Sequence, residues 1–274
     1  MAEATGGVQK IKGTIDGVTY YTIMGSDKVY VRKIGGPSKS MIKKAPQFEK
    51  LRRNNSEWAG CTKMGSMMRL ALGNIIDLAD YPIIGTMNGI GKQIQLANTD
   101  DEHGKRGLYL SRNKQLLLGF NVSRKQVLES VLRVPISSSL NREEGTAQVM
   151  IPAINAEMYL YNFRNLPFYR IKVSMFAVSD VAFSLASSKY EALNPNYTDY
   201  GAGFISEWFT TNGSIAEQCI DLKIELPSTS EHGFPTPADL TFILTVGVEF
   251  GKVGSNGLPA GVKYAGCGKV VRVG

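Results

Sequence analysis

The apolar positions of this chain fall into three regimes. Between residues 8 and 36 they come in short extended runs separated by turns. Gln9, Lys10, Ile11 and Lys12 open the first run, and Asp16-Gly17 is a dipeptide that supplies positive φ at tight hairpin turns. Val18, Tyr20 and Ile23 then alternate imperfectly with Thr19, Tyr21 and Thr22. A second turn is expected at Gly25-Ser26-Asp27. Val29, Tyr30 and Val31 make a further short strand that Gly35-Gly36-Pro37 ends. An isolated hairpin of this size is marginal in water, so the segment must dock on its own body or on another chain.

Residues 37–46 lie between two prolines and predict a linker. In residues 47–72 the period changes to three and four. Phe48 with Leu51, and Met64 with Met67 and Met68, carry the helical spacing. Asn54-Asn55-Ser56 predicts a break, with Ser56 capping a second segment. Gly60, Gly65 and Gly73 either weaken the helix or let another backbone approach. The methionines read as core packing. Residues 74–98 predict a second helical region, and 98–107 a polar loop. The stretch 108–120 fits either a helix end or a strand start.

From about residue 126 the pattern is that of strands. Val127 to Val134, Thr146 to Ile151, Phe168 to Phe176 and Val181 to Leu185 are candidates. Ile220, Leu222, Ile224 and Leu226 alternate with Asp221, Lys223 and Glu225, the clearest half-buried strand in the chain. Leu240 to Phe250 predicts a central core strand, and Val262 to Tyr264 and Lys269 to Val273 close the chain. Residues 187–203, with Tyr190, Tyr197 and Tyr200, read as a loop that either folds over its own body or offers a contact surface. The expected fold class is α+β and mainly β: an N-terminal β-arm with its linker (1–46), a small helical unit (47–125) and an antiparallel β-sandwich (126–274).

The 274 residues suffice for a core without disulfide staples. Three widely spaced cysteines, Cys61, Cys219 and Cys267, with no C-x-x-C pair, suggest a reduced cytoplasmic setting. The first ten residues lack the apolar stretch of a secretory signal, so the sequons at Asn54, Asn121, Asn196 and Asn212 carry little weight. No apolar run is long enough for a membrane helix, and no membrane insertion is expected.

Charge adds more. The net charge is +7, and residues 1–53 hold 11 Lys and Arg against 4 Asp and Glu, which accounts for all of it. Lys10, Lys12, Lys28, Arg32, Lys33, Lys39, Lys43 and Lys44 form this basic arm. Three readings stay open: a solvated arm, an arm meeting an acidic surface of another subunit, or an arm meeting nucleic acid.

The chemistry-bearing residues do not assemble into a reaction. His103 and His232 are the only imidazoles, each in a polar stretch, and no G-x-S-x-G accompanies them. No His/Cys spacing suits zinc. Asp100-Asp101-Glu102-His103 reads as a solvated acidic loop before a cation site. Residues 85–92 resemble a phosphate loop in part, but Thr86 stands where its first glycine belongs and Gln93 replaces the hydroxyl residue. Glu143-Glu144 and Asp180 give no carboxylate pair. No catalytic residue, metal or cofactor is therefore expected.

Gly13-Thr14-Ile15-Asp16-Gly17-Val18-Thr19-Tyr20-Tyr21, Arg32-Lys33-Ile34-Gly35-Gly36 and Arg53-Asn54-Asn55-Ser56-Glu57-Trp58 resemble the GTIGDVTFY-like hairpin, REKGG and RENGSEF signatures of a family of uncharacterised Bacteroidota proteins of similar length. Val246 to Phe250 is similar to their LGVEF-like strand. Asn54 and Trp58 depart from the Glu and Phe of that pattern. The resemblance implies a common fold and carries no activity.

The functional expectation is a non-enzymatic structural protein that self-assembles into a homo-oligomer, filament or phage-like particle. Its assembly residues would be Ile11, Ile15, Val18, Tyr20, Tyr21, Val29, Tyr30 and Val31, since an arm with unpaired edges can add a strand to a neighbour. The alternative is a nucleic-acid binder acting through the basic arm. An enzyme whose site leaves no pattern is the third reading.

Overall fold

The unbroken apolar run near residue 245 becomes a strand buried on both faces, and the body is layered around it. The structure is a computed structural model that describes residues 2–4, 12–23, 26, 28–198, 200–225 and 236–274. It forms two units, 1–52 and 53–274.

In the first unit, β1 (Ala2–Ala4), β2 (Gly13–Ile15), β3 (Val18–Thr22) and β4 (Val29–Lys33) make an antiparallel sheet in the order β1-β4-β3-β2. Asp16 and Gly17 take positive φ, 49° and 77°, at the turn the dipeptide predicts. The expected linker contains a helix, α1 (Lys39–Lys44), because Ser38 caps it by accepting from the Met41 amide at 3.1 Å. Arg52 closes the other end by donating to the carbonyls of Ile42 and Ala45 at 2.8 and 2.9 Å.

Helix α2 (Glu49–Leu70) runs without the predicted break, and Ser56 lies inside it rather than at a cap. Asn and Ser are only mildly unfavourable in a helix, and packing of Cys61, Met64 and Met68 overrides them. Helix α3 (Ile84–Ala97) lies against α2. A Cβ on Gly65 would come 2.3 Å from Asn88 Oδ1, and one on Gly91 2.9 Å from the Cys61 carbonyl. Glycines on both helices thus permit a closer approach than side chains would.

The remaining strands are β5 (Ser137–Asn141), β6 (Thr146–Ile151), β7 (Ile154–Asn155), β8 (Phe168–Ser179), β9 (Val181–Ser184), β10 (Lys189–Ala192), β11 (Gly201–Ile205), β12 (Phe209–Thr210), β13 (Ser214–Ile215), β14 (Gln218–Lys223), β15 (Leu240–Val253) and β16 (Pro259–Val273). The main antiparallel sheet runs β11-β8-β15-β16, with β12 beside the start of β8. A three-stranded sheet runs β14-β6-β5. Tyr169, Ile171, Val173 and Met175 of β8 and Phe242, Leu244, Val246 and Val248 of β15 face the small sheet, where Val149, Ile151, Ile220 and Leu222 complete one core. The alternation at residues 220–224 points inward as expected. The fold is α+β, mainly β and sandwich-like.

The opposite face of the main sheet receives the helices. A 3-10 segment, Gly73–Leu78, lies on a floor of glycines from β15 and β16: a Cβ on Gly247, Gly266 or Gly268 would meet Ile75 or Leu78 within 3.0 Å. The Asn74 amide donates to Ser174 Oγ at 2.8 Å. Residues of 53–125 therefore share a core with strand residues Ile243 and Val270, and the expected separate helical unit is part of the body. Gly247→Ala is expected to cost about 1–3 kcal/mol by overpacking, read as a lower urea midpoint with an unchanged slope. Its new methyl would sit 2.8 Å from both Ile75 and Leu78 and 2.9 Å from the Cys267 carbonyl.

Other sequence expectations are corrected. Residues 127–134 hold a one-turn helix, Leu128–Val131, not a strand. The expected loop 187–203 contains β10 and the start of β11. The two closing strands are one, β16, whose register against β15 shifts near Tyr264 at φ 59°.

Candidate functional site

The N-terminal sheet is the surface on which the sequence places the assembly residues. Cross-strand register sorts its side chains. Tyr20 pairs with Val31, Val18 with Lys33, Ile15 with Val18 and Thr22 with Val29. Period 2 therefore puts Ile15, Val18, Tyr20, Val29 and Val31 on one face, together with Lys33 and Thr22. The other face carries Thr14, Thr19, Tyr21, Tyr30 and Arg32. Its side chains touch one another: the Thr14 and Thr19 hydroxyls are 3.1 Å apart, and the Tyr21 and Tyr30 rings stack at 5.8 Å and 28°. The Arg32 guanidinium lies 5.9 Å from the Tyr21 centroid. The eight expected assembly residues are thus divided. Five share the apolar face, Tyr21 and Tyr30 lie on the other, and Ile11 falls outside the described residues.

No described residue from 12 to 52 is buried, and Ile15 is 51% exposed. A four-stranded sheet ordinarily hides one face, because burying an apolar side chain stabilises by about 1.5–3 kcal/mol. Here none of the described side chains of the apolar layer is buried. Of the basic arm, Arg32 sits on the aromatic face, Lys33 on the apolar one, Lys39, Lys43 and Lys44 in α1, Lys12 and Lys28 just ahead of β2 and β4, and Lys10 outside the described residues.

A second constellation has no counterpart among the sequence expectations. Glu57, on α2, is completely buried. Its carboxylate accepts from Arg106 Nε and Nη2 at 2.6 and 2.7 Å, from Lys92 Nζ at 3.1 Å and from the Gly104 amide at 2.9 Å. Gln95 donates to the Glu57 carbonyl and accepts from Lys92. Burial raises the pKa of Glu57, but these donors more than reverse it and hold the carboxyl at about 2. The one signal in the sequence is its place one turn before Cys61 and two turns before Met64, on the apolar stripe of α2. Its partners come from a helix and a loop distant in sequence, which no local pattern announces.

The phosphate-loop-like residues 85–92 are the body of α3, and Lys92 is spent on Glu57. His103 lies 2.9 Å from Asn54 Oδ1 and 3.8 Å from Glu57, while His232 falls outside the described residues. In the acidic loop, Asp101 accepts from Asn98, the Gly107 amide and Tyr109, so its oxygens serve the loop. Asp180 is buried and accepts from the amide and hydroxyl of Ser111. Burial raises the Cys61 thiol and pushes Cys267 up to about 12, which keeps both protonated at neutral pH. Tyr190 is buried beneath α2 and Tyr197 packs on the sandwich core, so these members of the Tyr-rich segment cover their own body. Tyr200 is 37% exposed. Among the described residues, no group of three or more His, Cys, Asp and Glu is placed to hold a metal, and no helix is long and apolar enough to cross a membrane. Neither a protein-family model nor a curated protein matches this chain.

Proposed function

We propose that this chain is a non-enzymatic assembly protein and that its N-terminal sheet is the joint between copies, building a homo-oligomer, a filament or a phage-like particle. The observation that carries this reading is the four-stranded sheet whose described apolar face, Ile15, Val18, Tyr20, Val29 and Val31, has no buried residue. Four strands about 4.8 Å apart, two of three residues and two of five, present a face of only about 250 Å². A stable interface takes about 800 Å² from each partner. The face is therefore one part of the joint, and backbone pairing at the outer strands β1 and β2 supplies more, by strand addition. The outer strands have three residues each, which keeps any added pairing short. The three cysteines are unpaired, in keeping with a reducing cytoplasmic or particle-interior setting.

Light scattering after gel filtration, with electron microscopy of the same fractions, tests the proposal. The full chain is expected to elute as a multiple of 29.9 kDa, and a chain beginning at Pro37 as a folded monomer. Two monodisperse monomers would remove the assembly reading.

A further inference from the structure

The aromatic face of the N-terminal sheet has a chemistry of its own, distinct from the apolar face proposed as the joint. We infer that Tyr21, Tyr30 and Arg32 form a stacking platform for single-stranded nucleic acid. Three observations converge on it. Tyr21 and Tyr30 are cross-strand partners whose rings stack on one another at 5.8 Å and 28°, which puts a pair of aromatic rings together on one face of the sheet. Arg32, on the same face, carries its guanidinium 5.9 Å from the Tyr21 centroid. Thr14 and Thr19, the remaining side chains of that face on β2 and β3, are hydroxyls, which can hydrogen-bond sugar or phosphate.

Charge selects the ligand. Residues 1–52 hold 10 Lys and Arg against 4 Asp and Glu. The positive charge of this unit attracts a polyanion. A polyanion with exposed flat rings uses both features, because unpaired bases stack on aromatic side chains while basic residues meet the phosphates. A duplex hides its base faces and would use the charge alone. Stacking and charge do not read base edges, so the binding is tolerant of sequence.

The test is fluorescence anisotropy of the full chain with labelled oligothymidylate longer than about 16 nucleotides, which spans a site of this kind. The expected result is binding that falls steeply with salt, with a log–log slope of at least about −2, as for release of three or more counterions. Single strand is expected to bind at least about five-fold tighter than duplex of the same length, because base stacking on each ring adds to the charge. Tyr21→Thr/Tyr30→Thr keeps β-forming residues and is expected to weaken binding by about 25-fold or more, whereas Tyr21→Phe/Tyr30→Phe retains it. Far-UV circular dichroism checks the fold of each. Equal affinity for duplex overturns the platform, a comparison that needs no variant. So does a folded threonine variant that binds like wild type. Competition by polyglutamate as effective as that by unlabelled oligothymidylate would also overturn it and assign the charge to an acidic protein surface. The threonine variant is expected to keep the scattering mass of wild type, so failure of the platform and failure of the assembly joint are read separately.

Discussion

Glu57→Ala is expected to lower the unfolding free energy by about 3–5 kcal/mol, the penalty of removing one partner from a buried charge network. The carboxylate is completely inaccessible and balances Arg106, which is itself mostly buried, together with Lys92. Deleting it leaves two cations facing each other across a cavity, and the Gly104 amide loses its acceptor. The loop 98–107 is pinned to α2 chiefly through these bonds, so its amides should exchange faster in the variant while those of β8 and β15 change only with global stability. Titration gives an independent check. The folded pKa of Glu57, about 2, lies below its ordinary value of 4.5. The carboxylate's stabilisation is therefore complete above about pH 4.5 and is lost as the pH falls toward 2, an amount on the order of 3 kcal/mol. The stability gap between wild type and Glu57→Gln, measured by urea unfolding, should narrow between about pH 5 and pH 2. A gap independent of pH would show that the carboxylate is not held charged.

Val31→Glu is expected to abolish assembly while leaving the body folded. Val31 lies at the centre of the apolar face, paired with Tyr20 on β3 and with the β1 backbone at Ala2. A carboxylate placed there must be dehydrated when a second layer closes on it, which costs several kcal/mol without a partner. A loss of about 3 kcal/mol weakens association by more than about 100-fold. Scattering mass should fall to one chain, and the main thermal transition, which reports the core of β8 and β15, should stay within about a degree or two of wild type because no described residue of 1–52 belongs to that core. Thr19→Glu is the matched control. It places the same charge on β3 but on the opposite face, and it should leave the mass unchanged. Loss of assembly in both variants would point to net charge rather than to the apolar face.

Some of these features are legible in the order of the amino acids alone. Asp16-Gly17 specifies its turn because positive φ at consecutive residues is open to few residue types. The alternation at residues 220–224 tells which side faces the core, since a strand's side chains have a strict period of two. Leu240 to Phe250 announces a strand buried on both faces by its lack of alternation. The charge imbalance of the N-terminal residues requires only counting.

Other features are decided by contacts between segments far apart in sequence. Asn54, Asn55 and Ser56 read as a break, yet the buried stripe of α2 holds the helix through them, because local preferences of a few tenths of a kcal/mol yield to packing worth several. Glu57 has no assigned role until α3 and loop 98–107 bring Lys92, Gly104 and Arg106 to it. Glycine ordinarily weakens a strand, and the glycines at 247, 266 and 268 gain their purpose only when Ile75 and Leu78 are laid on them. The same holds for the N-terminal sheet. Residue types alone specify strands, turns and positive charge. Cross-strand register, a property of paired backbones, sends Val18, Tyr20 and Val31 to one face and Tyr21, Tyr30 and Arg32 to the other.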